Sequence, residues 1–135
     1  MYLLLKEEDE TQVSIDQAES EETEEEWERT FFLCAGCRSR ITRQDAGIDV
    51  HDQHKHVFIN PHGLVFEVGC FSWAINCVGA GPSTWEFTWF PGYMWQITVC
   101  LQCLTHLGWI YEAPDGDYFY GFILDRLVEE SSNHQ

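Results

Sequence analysis

Four cysteines stand in two Cys-x-x-Cys pairs, Cys34 with Cys37 and Cys100 with Cys103. Each pair presents two thiolates from one tight turn, with Gly36 available to let the first turn close. Two such knuckles complete a tetrahedral four-sulfur site, the preferred setting of one Zn2+ at Zn–S of roughly 2.3 Å. Four sulfurs leave no coordination position for a reactive water, so the role expected of the metal is structural. Sixty-two residues separate the knuckles, so the site ties two ends of a domain together and does not fold a single finger. Disulfides within each pair are the competing expectation for a secreted chain.

A second constellation surrounds the second knuckle. Residues 85–111 hold Trp85, Trp89, Trp95 and Trp109, four of the six tryptophans. Trp89 and Trp95 flank a Phe90-Pro91-Gly92-Tyr93 turn, and Trp109 follows Cys103 by six residues. Indoles this close can simply be core. A rigid turn between two of them, and a metal knuckle fixing the third, also lets them face one another across a gap. Such a gap suits a flat, compact ligand. The remaining thiols, Cys70 and Cys77, lie seven residues apart in a strand region and are expected to be small buried hydrophobes. The His51-Asp-Gln-His-Lys-His56 run is expected to be a polar loop with surface histidines, since no cysteine or carboxylate cluster completes a ligand set.

Short apolar runs broken by Gly and Pro, without long 3.6-residue periodicity, predict an all-β fold. Strands are expected at 30–37, among 38–50, on both sides of an Asn60-Pro61-His62-Gly63 turn within 57–68, and at 71–78. Further strands are expected at 95–99, 107–111 and 118–124. Residues 79–83 read as a loop and 125–130 as a helical turn.

The chain has 135 residues and a formal net charge of -16. Twelve of its 23 acidic residues lie within residues 1–28. That segment has too little apolar surface to offset the entropy of ordering, so residues 1–29 are expected to be a disordered acidic tail. The folded unit then runs over 30–128, followed by a polar tail over 129–135. The acidity and the lack of a basic stripe exclude nucleic-acid binding. No run approaches the length of a membrane helix, and Met1–Leu5 is too short for a signal-peptide core. The expectation is a soluble protein, cytoplasmic or nuclear by default and secreted if a leader was lost.

Taken in order, Cys34-x-x-Cys37, Asn60-Pro61-His62-Gly63, Gly81-Pro82-Ser83-Thr84, Trp89-Phe90-Pro91-Gly92-Tyr93-x-Trp95 and Cys100-x-x-Cys103-x-x-His106-x-Gly108-Trp109 resemble the CULT domain family, the thalidomide-binding domain of cereblon. The resemblance covers about residues 31–125. It implies a β-tent of two antiparallel sheets pinned by zinc, and a three-tryptophan cage that holds cyclic imides. Those imides include the glutarimide of thalidomide-type drugs, uridine-like rings and peptide C-termini cyclised to imides. The walls would be Trp89, Trp95 and Trp109, with Tyr111 at the base and Asn60, Pro61 and His62 at the rim. The Phe87 carbonyl would accept from the imide N–H, and the Trp89 N–H would donate to an imide carbonyl. The family has Glu-His-Ser before its first cage tryptophan. Here Trp85-Glu86-Phe87-Thr88 is one residue longer, and Phe87 stands in place of the histidine. No catalytic residue is implied, and no adaptor region for a ubiquitin ligase matches this chain.

Two other functions fit parts of the sequence. An aromatic cage also attracts quaternary or methylated ammonium. A zinc-bearing methionine sulfoxide reductase shares a related β architecture and two Cys-x-x-Cys pairs, with Cys70 or Cys77 as the nucleophile.

Overall fold

The structure is a computed structural model and describes residues 23–131. The acidic segment 1–22 and residues 132–135 lie outside the described residues. Residues 24–28, assigned to the acidic tail from sequence, form one short helix, α1 (Glu24–Glu28). A capping box explains it. The Thr23 hydroxyl accepts from the Glu26 N–H, and the Glu26 carboxylate accepts from the Thr23 N–H. No side chain of α1 is buried.

The rest is nearly all sheet, as the sequence predicts. In chain order the strands are β1 (Phe31–Cys34), β2 (Arg40–Arg43), β3 (Lys55–Ile59), β4 (Val65–Phe71), β5 (Cys77–Thr84), β6 (Met94–Cys100), β7 (His106–Glu112), β8 (Tyr118–Ile123) and β9 (Leu127–Glu129). They form two antiparallel sheets, a small one ordered β2-β1-β9 and a large one ordered β3-β4-β8-β7-β6-β5. One buried cluster, including Cys34, Ile41, Phe71, Cys100, Leu107, Phe122 and Leu127, joins residues of both sheets. A second, including Val68, Cys70, Phe90, Trp109, Tyr111 and Phe119, is built from the large sheet and the turn that carries Phe90. Among the described residues no helix is long and apolar enough to cross a membrane.

Four strand-level expectations change. The strand expected at 71–78 ends at Phe71, and residues 72–76 turn; Asn76 takes φ 58 there. Residues 79–83, expected as a loop, lie inside β5. Edge position makes this possible: β5 pairs only with β6, so Pro82 has room for its missing N–H. The register shift between Ala80 and Thr84 takes up Gly81 at φ 80. Leu124–Arg126 makes a single 3-10 turn, but Leu127–Glu129 is a strand pairing with β1. The fourth change is at the histidines. His51 is exposed, yet His56 starts inside β3 with 8% of its surface exposed. Its Nε2 faces the carbonyls of Val50 and Gln53, which satisfies the buried ring. His54 is half-buried with Nδ1 against the Ile48 carbonyl.

One buried polar atom stands out. The Thr98 hydroxyl, 1% exposed on β6, has no hydrogen-bond partner among the described residues. A buried unpaired hydroxyl costs more than the methyl that would replace it. Thr98→Val is expected to stabilise the domain by about 1 kcal/mol, seen as a rise of roughly 4–8 °C in the thermal midpoint for a domain of this size. An unchanged or lower midpoint would mean that the hydroxyl is satisfied by water.

Candidate functional site

The two knuckles sit where the small sheet meets the large one. β1 ends in Cys34 and β6 ends in Cys100, so the strands deliver one buried thiol each, and the turns that follow deliver Cys37 and Cys103. The turns repeat one another. The Cys34 N–H donates to the Ser39 carbonyl and the Arg38 N–H to the Cys34 carbonyl. The Cys100 N–H likewise donates to the Thr105 carbonyl, and the Leu104 N–H to the Cys100 carbonyl. Arg38 and Leu104, one residue past each knuckle, both take left-handed backbone at φ 68 and 66. Gly36 therefore does not supply the left-handed residue of its turn. It supplies clearance: a Cβ there would lie 2.7 Å from the Thr105 hydroxyl and 3.3 Å from the Cys103 sulfur.

All four sulfurs lie within 4.8 Å of one another. Across the knuckles, Cys34 Sγ is 3.6 Å from Cys103 Sγ, and Cys37 Sγ is 3.5 Å from Cys100 Sγ. A tetrahedron with metal–sulfur bonds of roughly 2.3 Å has edges of roughly 3.8 Å, so the residues present fit one metal ion. All six cysteines are free, with no disulfide. Two hydroxyls support the outer thiols. The Thr105 side chain and amide hold Cys103 down to about 6, and Ser39 lowers Cys37 in the same way. Burial pushes Cys100 up to about 11, which a cation bound to its sulfur would reverse.

The second constellation forms a cavity of about 720 Å3 on the large sheet, within the range of small-molecule sites. Asn60, Pro61, His62, Phe87, Trp89, Trp95, Trp109 and Tyr111, singled out from sequence, all line it. Pairing across the sheet brings them together. Trp95 lies opposite Tyr111, and Ile97 opposite Trp109, on the β6–β7 ladder. Tyr111 is 1% exposed and makes the floor; Gly121 on β8 leaves room for it, since a Cβ there would lie 2.9 Å from the Tyr111 ring. Trp89 stacks on Phe58 at 4.6 Å between centroids and meets Trp109 edge-on at 5.1 Å. Phe90 next to it is fully buried, edge-on to Tyr111 and Phe119, and this anchors the Pro-Gly turn. The Asn60 side chain accepts from the N–H groups of His62 and Leu64, which fixes the rim turn.

The loop before Trp89 is held at both ends. The Trp95 indole donates to the Glu86 carbonyl at 2.7 Å, and the Thr88 hydroxyl donates to the Tyr93 carbonyl at 2.8 Å. Between these anchors, the Phe87 carbonyl and the Trp89 N–H have no hydrogen-bond partner among the described residues. Phe87 itself takes φ 57 and is 70% exposed.

Three lining residues were missed: Phe66, Ile97 and His106. Strand alternation could have found two, since Ile97 follows Trp95 by two residues and Phe66 precedes Val68 by two. His106 could not be found that way. Simple alternation puts it on the face opposite Trp109, but the register shift between Thr98 and Val99 inserts a bulge at Leu107. The bulge brings the His106 ring edge-on to Trp109 at 5.1 Å. Its Nε2 lies 3.0 Å from the Gly108 carbonyl, and burial lowers its pKa. Cys70 is fully buried as expected, whereas Cys77 is only half-buried; burial pushes their thiols up to about 12 and about 11.

No family model matches the chain. Among curated proteins it is 35% identical over 106 residues to Protein cereblon of Drosophila persimilis, covering 70% of this chain and 16% of the relative. The Drosophila melanogaster protein cereblon is 35% identical over 94 residues, covering 64% and 15%. That of Gallus gallus is 38% identical over 75 residues, covering 53% and 17%. The chain thus spans about a sixth of the length of the curated relatives it matches. Among solved structures, the Mis18 'Yippee-like' domain aligns with 78% of this chain and 98% of its own, at a TM-score of 0.53 and 15% identity. That likeness concerns the fold alone. With cereblon homologues matching most of the described domain, two antiparallel sheets, and four cysteines gathered where those sheets meet, the chain belongs to the CULT domain family.

Proposed function

We propose that this domain is a binding module that holds a cyclic imide in the cage of Trp89, Trp95 and Trp109, above Tyr111. The folded unit is assigned to residues 30–128, with one structural Zn2+ on Cys34, Cys37, Cys100 and Cys103. The observation that carries this reading is the unused acceptor and donor on one anchored loop, the Phe87 carbonyl and the Trp89 N–H, beside aromatic walls. An imide presents an N–H flanked by two carbonyls on a flat ring, so it matches that pair while the indoles cover its faces. The source of the ring is a small molecule or the cyclised C-terminus of a peptide or protein.

The ammonium reading finds less support. Among the described residues no Asp or Glu lines the cavity, so a cation buried there would lack a carboxylate partner from them. The reductase reading is disfavoured by Cys70 and Cys77, whose thiols are shifted away from the thiolate that such chemistry needs. The domain therefore acts by binding and not by catalysis.

Titrating glutarimide into the zinc-loaded protein is expected to change tryptophan emission saturably, with choline giving no saturable change. Saturation by choline with none by glutarimide would replace the imide reading with the ammonium one.

A further inference from the structure

Phe87 is the most exposed aromatic residue of the cavity lining, 70% exposed, and it sits in left-handed backbone at φ 57. It is the third residue of a turn in which the Thr88 N–H donates to the Trp85 carbonyl at 3.3 Å. Glycine or asparagine takes that position without strain, and a bulky aromatic does not. An exposed ring offsets nothing by burial, so folding gives no reason for phenylalanine here. Strain held at a site mouth points instead to what the side chain meets there.

The surroundings define what it can meet. Glu86 is tied through its carbonyl to the Trp95 indole, and Thr88 through its hydroxyl to the Tyr93 carbonyl. Phe87 is thereby fixed between two anchored residues. Tyr111 on the floor and Trp109 in the wall are buried, while Pro61 and His62 at the rim are exposed. A ring seated on Tyr111 would leave its substituent toward the mouth, where Phe87, Pro61 and His62 are among the exposed lining residues. Among the described residues no carboxylate, lysine or arginine lines the cavity, so the mouth they form selects by apolar and aromatic contact and not by charge.

We propose that the Phe87 side chain reads the group attached to the imide, giving this site a preference for a peptide-borne cyclic imide preceded by an aromatic or large apolar residue. The proposal rests on the imide reading above. It divides one residue into two tasks: the Phe87 backbone carbonyl serves the ring, and its side chain serves the residue before the ring.

The test uses 3-aminoglutarimide capped with acetyl-Gly or with acetyl-Phe, titrated by calorimetry into the zinc-loaded chain. The native chain is expected to bind the Phe-capped probe about tenfold more tightly, the effect of one aromatic pair. Phe87→Gly and Phe87→Asn both suit left-handed backbone and keep the carbonyl in place. In each, the ratio of affinities for the Phe-capped and Gly-capped probes is expected to fall from about ten to about one, whatever the change in absolute affinity. Equal binding of the two probes by the native chain, or a preference that survives in both variants, overturns the proposal while leaving imide binding intact. Binding of neither probe by the native chain overturns the imide reading and this proposal together.

Discussion

Chelating the zinc proposed at the four cysteines is expected to unfold the domain outright. Cys34 and Cys100 are fully buried members of the cluster that joins the small sheet to the large one. The knuckles are the ends of β1 and β6 turned toward each other, so a bound metal would tie the two sheets directly, beside the Gly47–Phe71 bridge, the β8–β9 connection and the side-chain packing. Structural zinc supplies about 10–16 kcal/mol at neutral pH, against a typical total stability of about 5–15 kcal/mol. Without it, two or more thiolates face one another at about van der Waals distance, or must take up protons, with nothing gained. The expected result is loss of near-ultraviolet circular dichroism on adding a strong chelator, with one zinc released per chain. Cys100→Ser is expected to do the same without chelator. A metal-free chain that melts at the same temperature as the loaded one would remove the metal from this account.

The second large effect concerns the cage. Trp95→Ala is expected to weaken glutarimide binding by about 1–3 kcal/mol, or about 5- to 150-fold, as for other buried aromatic contacts. The fold should survive, because Trp95 is only partly buried on β6 and packs against the rim of the second buried cluster without being one of its buried members. Two losses combine in this variant: one wall of the cage and the indole that holds the Glu86 carbonyl. Trp95→Phe keeps much of the wall and loses only the hydrogen bond, so it is expected to fall between native and alanine. Trp109 is a poorer probe. It is 8% exposed and packs against Phe66 and His106, so truncating it costs stability of about 3–5 kcal/mol as well as affinity. Native affinity in Trp95→Ala, measured by calorimetry, would place the ligand elsewhere.

Much of this site is legible in the sequence because its parts are local. A Cys-x-x-Cys pair fixes a knuckle by itself, and a Phe-Pro-Gly-Tyr turn fixes the direction of the tryptophans on either side. Positions that depend on a neighbouring strand are less visible. Gly79, Gly81 and Pro82 read as a loop, and only the edge location of β5 with its bulge lets them stay in the sheet. β9 is three residues long and exists because β1 offers a free edge. His106 joins Trp109 only through a one-residue bulge, and a bulge reverses the face to which every earlier residue is assigned by alternation. Phe87 is a different case. The sequence shows a phenylalanine two residues before Trp89, but the left-handed backbone that holds it is a property of the folded turn.

The claim on which the functional account rests is that the loop recognises the imide group itself. Its most direct measurement compares glutarimide with N-methylglutarimide in calorimetric titrations of the zinc-loaded chain. The methyl group removes the one donor offered to the Phe87 carbonyl and puts bulk against that loop, while leaving the ring for the indoles to cover. A drop in affinity of at least about tenfold on methylation is predicted, the value of one buried hydrogen bond left unmade. Equal binding of the two rings would show that the cage takes them by their faces alone and would contradict the account.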